Sequence, residues 1–591
     1  MVAPNPGAST QSPGAHPWSS PAAIAREKLN AQILTYYAIS LSGIIGLFIL
    51  GHWMRYLTAR LPWTKTRFVI LYPIVGLTRS TRRTCLRRLL GFTSIGHAVV
   101  VAVFVALNAF FSFYKIDRSN YSEVAARFGW MASGNMALVV FLALKNTPLA
   151  ILTAYSYERL NVLHQIAGYT TFLYTALHGS IYTWYFIHAG KVEVLQQKTI
   201  TAGIVLGFAV LSTTMSGLIL QRLNYELFYV VHLMMAVIII ITLGLHRPTF
   251  EPDKTLIITV IIGALWFSDR LLRFCRLAYN GINNKAVVYP LPHGGTRIVL
   301  QKPLHRARPG KHCFVWLPGV RAFETHPFTI VASEPMELVI NSYSGFTRDL
   351  HRYATNNPGG RLAVSLEGPY GTFPDPMDYD KVILLAGGSG ATFTMGVAAN
   401  MIQRMKQDSN KQIEFIWATQ AHDNIAWFRQ HLNKLINHEH ASKIAMRIHL
   451  TRAIPQSNTS LASATSLPSP PPLNRTLSQA VTERAPTPPM DLDAVVTPQT
   501  SSTTLRDNDA EKAGAVHQEV VAPAKEVPII NGRPDVAAMI RTAIASVPRN
   551  ERVLVAACGP TGLMNTVRNT TAACISVDGP AVELHCEQFG W

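Results

Sequence analysis

Fourteen residues separate His164 from His178, and fourteen separate His232 from His246. Fourteen residues make nearly four turns of an α-helix, so both histidines of a pair share one helix face, roughly 21 Å apart along the axis. Ionisable side chains inside an apolar span are costly and usually functional. The two spans are separated by a single intervening one and so run parallel. That sets His164 opposite His232 at one depth and His178 opposite His246 at another. Imidazole suits haem iron, and with both axial positions filled the iron is set for electron transfer rather than oxygen binding. In the plainer reading each histidine hydrogen-bonds a neighbouring helix, which accounts for one buried histidine but not for two equal spacings. His52, His97 and His188 lie near span ends without matching partners and read as interfacial.

Further along, Arg308-Pro309-Gly310-Lys311-His312 precedes a strand and Glu324-Thr325-His326-Pro327-Phe328-Thr329-Ile330 follows it. A polar stretch such as His326 to Thr329 binds an isoalloxazine ring with backbone and hydroxyl groups, or serves as an ordinary turn. Ser344-Gly345-Phe346-Thr347 offers backbone amides to a pyrophosphate, again with a plain turn as the alternative. Gly387-Gly388-Ser389-Gly390-Ala391-Thr392 closes a buried strand and opens a helix, where glycines let a pyrophosphate approach the helix N-terminus. Cys558-Gly559-Pro560 follows a second buried strand at the expected edge of the same cleft, although Cys558 also reads as a packed core thiol. The chain ends Glu587-Gln588-Phe589-Gly590-Trp591. A terminal aromatic residue covers a flavin face in one reading and belongs to a disordered tail in the other.

Positioning these groups takes three kinds of element. Seven apolar stretches are long enough, at about 20 residues, to cross a bilayer as helices: 33–52, 92–113, 129–150, 160–187, 200–220, 227–246 and 256–273. The stretch 68–76 is too short, contains Pro73 and reads as interfacial. After residue 285, short turn-bounded runs predict a small antiparallel barrel over 285–375. From 380 to 591, strands alternate with helices as in an α/β nucleotide-binding domain. Residues 454–533, rich in Ser, Thr, Pro and Ala, are expected to be a disordered insertion in that domain.

Composition fits a membrane protein with a soluble part. Of 591 residues, 48% are hydrophobic and only 15% charged, against about 25% in soluble proteins. The net charge of +19 does not indicate nucleic-acid binding, because its densest run, 79–88 (RSTRRTCLRR), lies between apolar spans. Basic loops there set membrane orientation. The basic segments 55–88 and 270–276 should face the cytosol, placing the N-terminus outside and the C-terminal half inside. The sequon Asn120-Tyr121-Ser122 then falls in an external loop open to glycosylation. The six cysteines lie on or near the cytosolic side, which suits a reducing compartment, and show no short metal-type spacing. Residues 1–32, rich in Pro, Ser and Ala, are expected to be a disordered extracytoplasmic segment ahead of a haem-binding bundle over 33–274.

Together, the paired-histidine spans, HPFT, LAGGSGAT, CGP and the terminal EQFGW resemble the fungal ferric reductases of the flavocytochrome b superfamily. The phrase from Asn146-Thr147-Pro148-Leu149 to Tyr157-Glu158-Arg159-Leu160-Asn161 is similar to that group as well. The resemblance covers about 30–453 and 534–591 and implies a ferredoxin-reductase-like pair of domains behind the bundle. It implies FAD held by His326, Pro327, Phe328 and Thr329, with Gly345 and Thr347 near its phosphates and Trp591 over its ring. It implies a nicotinamide dinucleotide at Gly387, Gly388, Gly390, Thr392, Cys558, Gly559 and Pro560. It also implies two b-type haems, at His164 and His232 on the cytosolic side and at His178 and His246 outside. NADPH is the dinucleotide this family implies. The strand IEFIWATQAHDN lacks an arginine for a 2′-phosphate, which leaves NADH open.

The activity so implied is ferric-chelate reduction, with cupric chelates as a further acceptor, by a plasma-membrane protein that moves electrons from cytosolic NADPH through FAD and two haems. No side chain need act as acid or base on the metal, and no metal permease partner is assigned. One alternative keeps this wiring but ends on oxygen, as NADPH oxidases do when they make superoxide. Another, from a different class, is a nucleotide-sensing membrane transporter without haem.

Overall fold

A computed structural model describes residues 21–60, 65–247, 254–452 and 527–587, with the side chains of 58–60 and 65–71 left aside. The first helix, α1 (Pro21–Arg60), runs for 40 residues. It starts well before residue 33, so 21–32 are helical where disorder is expected. The reason lies in its polar residues, which are buried and partnered. Glu27 accepts from the Trp130 indole, and Asn30 accepts from Arg127 Nε at 2.7 Å. Tyr37 donates to Asn135 at 2.9 Å.

The stretch expected to be interfacial lies in a longer helix, α2 (Lys65–Leu86), that includes Pro73 and most of the basic run. Arg79 donates to the carbonyls of Ser576, Val577 and Gly579 at 2.8–3.0 Å, and Arg82 to that of Val582 at 2.8 Å. These basic side chains therefore dock a distant part of the chain.

Next come α3 (Ile95–Phe113) and α4 (Tyr121–Ala143). The α4 helix begins eight residues ahead of the expected span because Asn120, the sequon residue, caps it by accepting from the Glu123 amide at 3.4 Å. Its far end stops at Ala143, and Leu144 to Pro148 turn into the short α5 (Leu149–Thr153). The long α6 (Tyr157–His188) follows. Then α7 (Lys198–Met215) passes through a π-helical turn at Ser216–Leu220 into the short α8 (Gln221–Leu223). The bundle ends with α9 (Tyr225–His246) and α10 (Lys254–Gly281).

Among the described residues, six helices are long and apolar enough to cross a membrane. The remaining expected span, 160–187, lies in α6, which is 32 residues long but diluted by histidine, tyrosine and threonine. The chain is a multi-pass membrane protein.

An antiparallel domain follows: β1 (Lys285–Leu291), β2 (Gly295–Leu300), β3 (His312–Trp316), β4 (Thr325–Ser333), β5 (Met336–Asn341), α11 (Phe346–Asn356), β6 (Arg361–Ala363) and β7 (Ser365–Tyr370). Its curled sheet has the order β6-β1-β2-β5-β4-β3-β7. Val288, Ile298, Val315, Ile330, Leu338 and Leu366 fill the inside, and α11 adds Phe346 and Leu350 to that core.

The last domain contains β8 (Lys381–Gly387), α12 (Ala391–Arg404), β9 (Gln412–Thr419), α13 (Arg429–Ile436), β10 (Ile444–Leu450), β11 (Ile529–Asn531), α14 (Val536–Ala545), β12 (Arg552–Cys558), α15 (Thr561–Cys574) and β13 (Ala581–Glu587). The sheet is parallel in the order β11-β10-β9-β8-β12-β13. Strand order reverses between β8 and β12, and in such sheets ligands bind at the carboxyl ends of the strands flanking that switch. Strand β11 falls inside the expected insertion, pairing Ile448 with Ile529, so the fold resumes before Pro534. The remainder of the expected insertion, 454–526, lies outside the described residues.

Candidate functional site

The structure brings the four histidines together as two pairs in the space between α6 and α9. Ring centres of His164 and His232 lie 6.3 Å apart, and those of His178 and His246 5.9 Å apart. Three of the rings are held from behind by a backbone carbonyl, which can only accept, so their Nδ1 carries the proton. His164 Nδ1 donates to Val139 at 3.0 Å and His178 Nδ1 to Ala125 at 2.8 Å, both on α4. His246 Nδ1 donates to Thr199 on α7 at 2.8 Å. His232 differs: its Nδ1 lies 3.5 Å from the Ser216 hydroxyl, which itself bonds the Thr213 carbonyl of α7 at 2.7 Å. Ser216 opens the π-helical turn, a device that recurs at functional sites. The carbonyls at 125 and 139, and at 199 and 213, repeat the fourteen-residue spacing of the histidines.

Where Nδ1 is committed, Nε2 is the nitrogen left for a metal, the arrangement that orients metal-bound imidazoles in general. Two imidazoles on opposite sides of one metal, bonded at about 2 Å and with about 1 Å from nitrogen to ring centre, would place ring centres about 6 Å apart. Both pairs match that separation, so the residues fit haem iron.

The near pair, His164 and His232, is fixed to the antiparallel domain by a repeated device. Each histidine follows a Tyr-Glu dipeptide, Tyr157-Glu158 and Tyr225-Glu226, with the glutamate six residues ahead of it. Glu158 Oε1 lies 2.8 Å from His312 Nε2, and Glu226 Oε1 accepts from Arg321 at 2.8 Å. Arg321 also bonds Glu324 and Asp349, each at 2.8 Å. Arg159, beside Glu158, reaches His585 Nδ1 of the parallel domain at 3.1 Å. Deeper in the junction, Arg273 and Glu367 form a buried pair at 2.6 Å, and Tyr370 donates to the same carboxylate at 2.6 Å. Burial would raise the Glu367 carboxyl, but Lys145, Arg273 and Tyr370 outweigh it and hold it below the usual range. Lys145 itself, half-buried over the Phe314 ring, is pushed down to about 7 by desolvation and by the Arg273 charge.

The flavin-type motifs meet at Phe346, which follows Gly345 and packs against β4. His326, Pro327, Phe328 and Thr329 lie on β4, with Thr329 opposite His312 in the adjacent strand. His326 stacks on Phe346 at 4.3 Å, and Phe328 packs on the same ring at 6.1 Å. Gly345 has φ +63°, and α11 begins at the next residue, so its first amides are free of helical partners. Thr347 accepts from the Tyr343 amide at 2.9 Å.

The dinucleotide motifs meet at the strand-order switch. Gly387 ends β8 and Cys558 ends β12, and a methyl at Gly390 would lie 2.3 Å from the Cys558 carbonyl oxygen. A methyl at Gly387 would lie 2.6 Å from Pro560 Cδ, and one at Gly559 would lie 3.0 Å from the Gly387 backbone. The two turns are therefore interlocked backbone to backbone. Thr392 Oγ1 donates to the Ser389 carbonyl at 3.0 Å, and Trp417 holds the Gly388 carbonyl at 3.0 Å. Burial, with Glu587 and Cys586 nearby, pushes the Cys558 thiol up to about 12, so it stays protonated at neutral pH. Trp591 lies outside the described residues. Sequence reasoning missed the carbonyl acceptors, Arg321 and His585, and singled out the motif ending in His312 without its contact to Glu158; the repeated Tyr-Glu ahead of each histidine was the readable signal for part of this junction.

Three family models match the chain in order. They are the ferric reductase like transmembrane component over residues 128–243, the FAD-binding domain over 281–373, and the ferric reductase NAD binding domain over 379–572. Probable cell surface ferric reductase kap2 of Aspergillus oryzae is 28% identical, covering 58% of this chain and 50% of that protein. Ferric reductase transmembrane component 3 of Saccharomyces cerevisiae is 25% identical, covering 60% and 54%. Ferric/cupric reductase transmembrane component 2 of Schizosaccharomyces pombe is 25% identical, covering 57% and 68%. The chain thus spans about half the length of the first two relatives.

Proposed function

This chain belongs to the ferric reductases, and we propose that it passes electrons from cytosolic NADPH across the plasma membrane to a ferric chelate, with cupric chelates as a second acceptor. The observation that carries this reading is the pair of stacked bis-imidazole sites, the near one tied to both sheet domains. His164 and His232 would hold the cytosolic-side haem, and His178 and His246 the outer one. His326, Pro327, Phe328 and Thr329 would seat FAD, with Gly345 and Thr347 at its phosphates and Trp591 over its ring. The crevice of Gly387, Gly388, Gly390, Thr392, Cys558, Gly559 and Pro560 would take the dinucleotide. When bound, these groups supply the chemistry: hydride from NADPH, one-electron steps at the flavin and electron transfer at haem iron.

The protein's own part is to orient four imidazoles, three of them directly through backbone carbonyls, and to fix their helices to the two domains. The N-terminus lies outside and both sheet domains lie in the cytosol. That orientation follows from the basic segments. Relatives named as ferric and cupric reductases favour a metal acceptor over oxygen.

Purified protein, assayed for haem and flavin and then given NADPH, tests the reading. Two haems with a bis-histidine spectrum, one FAD per chain and ferric-chelate reduction exceeding superoxide output are expected. Absence of haem, or superoxide as the main product, would count against it.

A further inference from the structure

We infer that Gly129 and Gly203 are positioning residues for the far histidine pair, each leaving the space in which one imidazole lies against a helix backbone. The inference rests on the haem reading above. Gly129 sits one turn after Ala125, whose carbonyl takes the His178 Nδ1 proton, and Gly203 one turn after Thr199, which takes that of His246. A methyl at Gly129 would lie 2.7 Å from both Cε1 and Nδ1 of His178. A methyl at Gly203 would lie 2.4 Å from Cε1 and Nδ1 of His246, and 2.9 Å from its Nε2. Such contacts are deeply repulsive. An imidazole is rigid, so it cannot retreat from the methyl and keep its carbonyl partner.

The near pair has no such constraint. The positions one turn after Val139 and Thr213 are Ala143, which already carries a methyl, and Gly217. There an added methyl meets only Phe228, at 4.0 Å. Alanine is also a better helix former than glycine, so local propensity predicts gain where the imidazole contact predicts loss. Small residues at helix contacts let backbones approach closely; here the element that approaches is a ligand ring.

The test compares Gly129→Ala and Gly203→Ala with Gly207→Ala, one turn further along α7 with nothing within 4 Å, and with Gly217→Ala. Haem and FAD per chain, the reduced absorption spectrum and a redox titration are measured on purified full-length protein. The inference expects Gly129→Ala and Gly203→Ala to lose about half the haem absorbance or to show an altered far-haem titration, with FAD content unchanged. The remaining haem should still be reduced by NADPH, and both control variants should match the parent.

Parent-like spectra and titrations in Gly129→Ala and Gly203→Ala would overturn the inference. So would loss of FAD or of both haems in these variants, or an equal loss in Gly207→Ala. A parent protein without haem would instead refute the haem reading itself.

Discussion

Glu158 and His312 meet at 2.8 Å, joining the first turn of the helix that carries His164 to the strand that lies beside Thr329. Glu226 and Arg321 repeat the contact for the helix that carries His232. Both helices are thereby set against the same domain, each contact six residues ahead of the near-pair histidine. Together with the Arg273–Glu367 pair, these two contacts fix how the near-pair helices sit against the antiparallel domain.

Replacing both glutamates, Glu158→Leu with Glu226→Leu, should slow haem reduction by NADPH on the order of tenfold or more. Ångström-scale misplacement of reacting groups costs at least that much. Flavin reduction by NADPH should keep its rate, because neither residue touches the crevice at Gly387 and Cys558. Stopped-flow absorbance separates the two steps, and equal slowing of both would show that the contacts do not fix how these helices sit.

The buried pair Arg273–Glu367 makes a prediction about pH. Removing one partner of a buried ion pair costs about 3–5 kcal/mol, so Glu367→Gln should lower unfolding stability at pH 7 by that order. The folded carboxyl is held below its ordinary value. Its contribution is therefore present above the unfolded value of about 4.3 and disappears as pH falls through the folded one. Thermal melts of parent and Glu367→Gln should differ most at neutral pH and converge in acid. A gap that widens on acidification contradicts the assignment.

Interlocking of the two glycine turns should make Gly390→Ala selective for the dinucleotide. Forcing a methyl against the Cys558 carbonyl costs about 1–3 kcal/mol, equivalent to roughly five- to 150-fold in Kd. FAD content should not change, since the affected turn belongs to the other domain. Titration with NADPH measures the effect, and an unaltered Kd would place the dinucleotide elsewhere.

The site was readable in the sequence where side chains recur with a period. The histidine spacing is such a case, as are the two glycine turns, since helix and strand periods translate directly into position. What holds the histidines was hidden because carbonyls of Val139, Ala125 and Thr199 have no residue type of their own. Long-range docking was hidden for a similar reason. Arg79 looks like a topology signal, yet its acceptors are backbone carbonyls near residue 577. The early start of α1 escaped because Glu27 and Asn30 are polar, and only Trp130 and Arg127 on another helix make them buried residues. The start of α4 was misplaced because Asn120 reads as a sequon before it reads as a cap.

Replacing His178 with Ala tests the directed path most directly. NADPH should still reduce the flavin and the haem held by His164 and His232, while reduction of an external ferric chelate by intact cells is lost. Undiminished ferric-chelate reduction by cells carrying His178→Ala as their only copy would contradict the account.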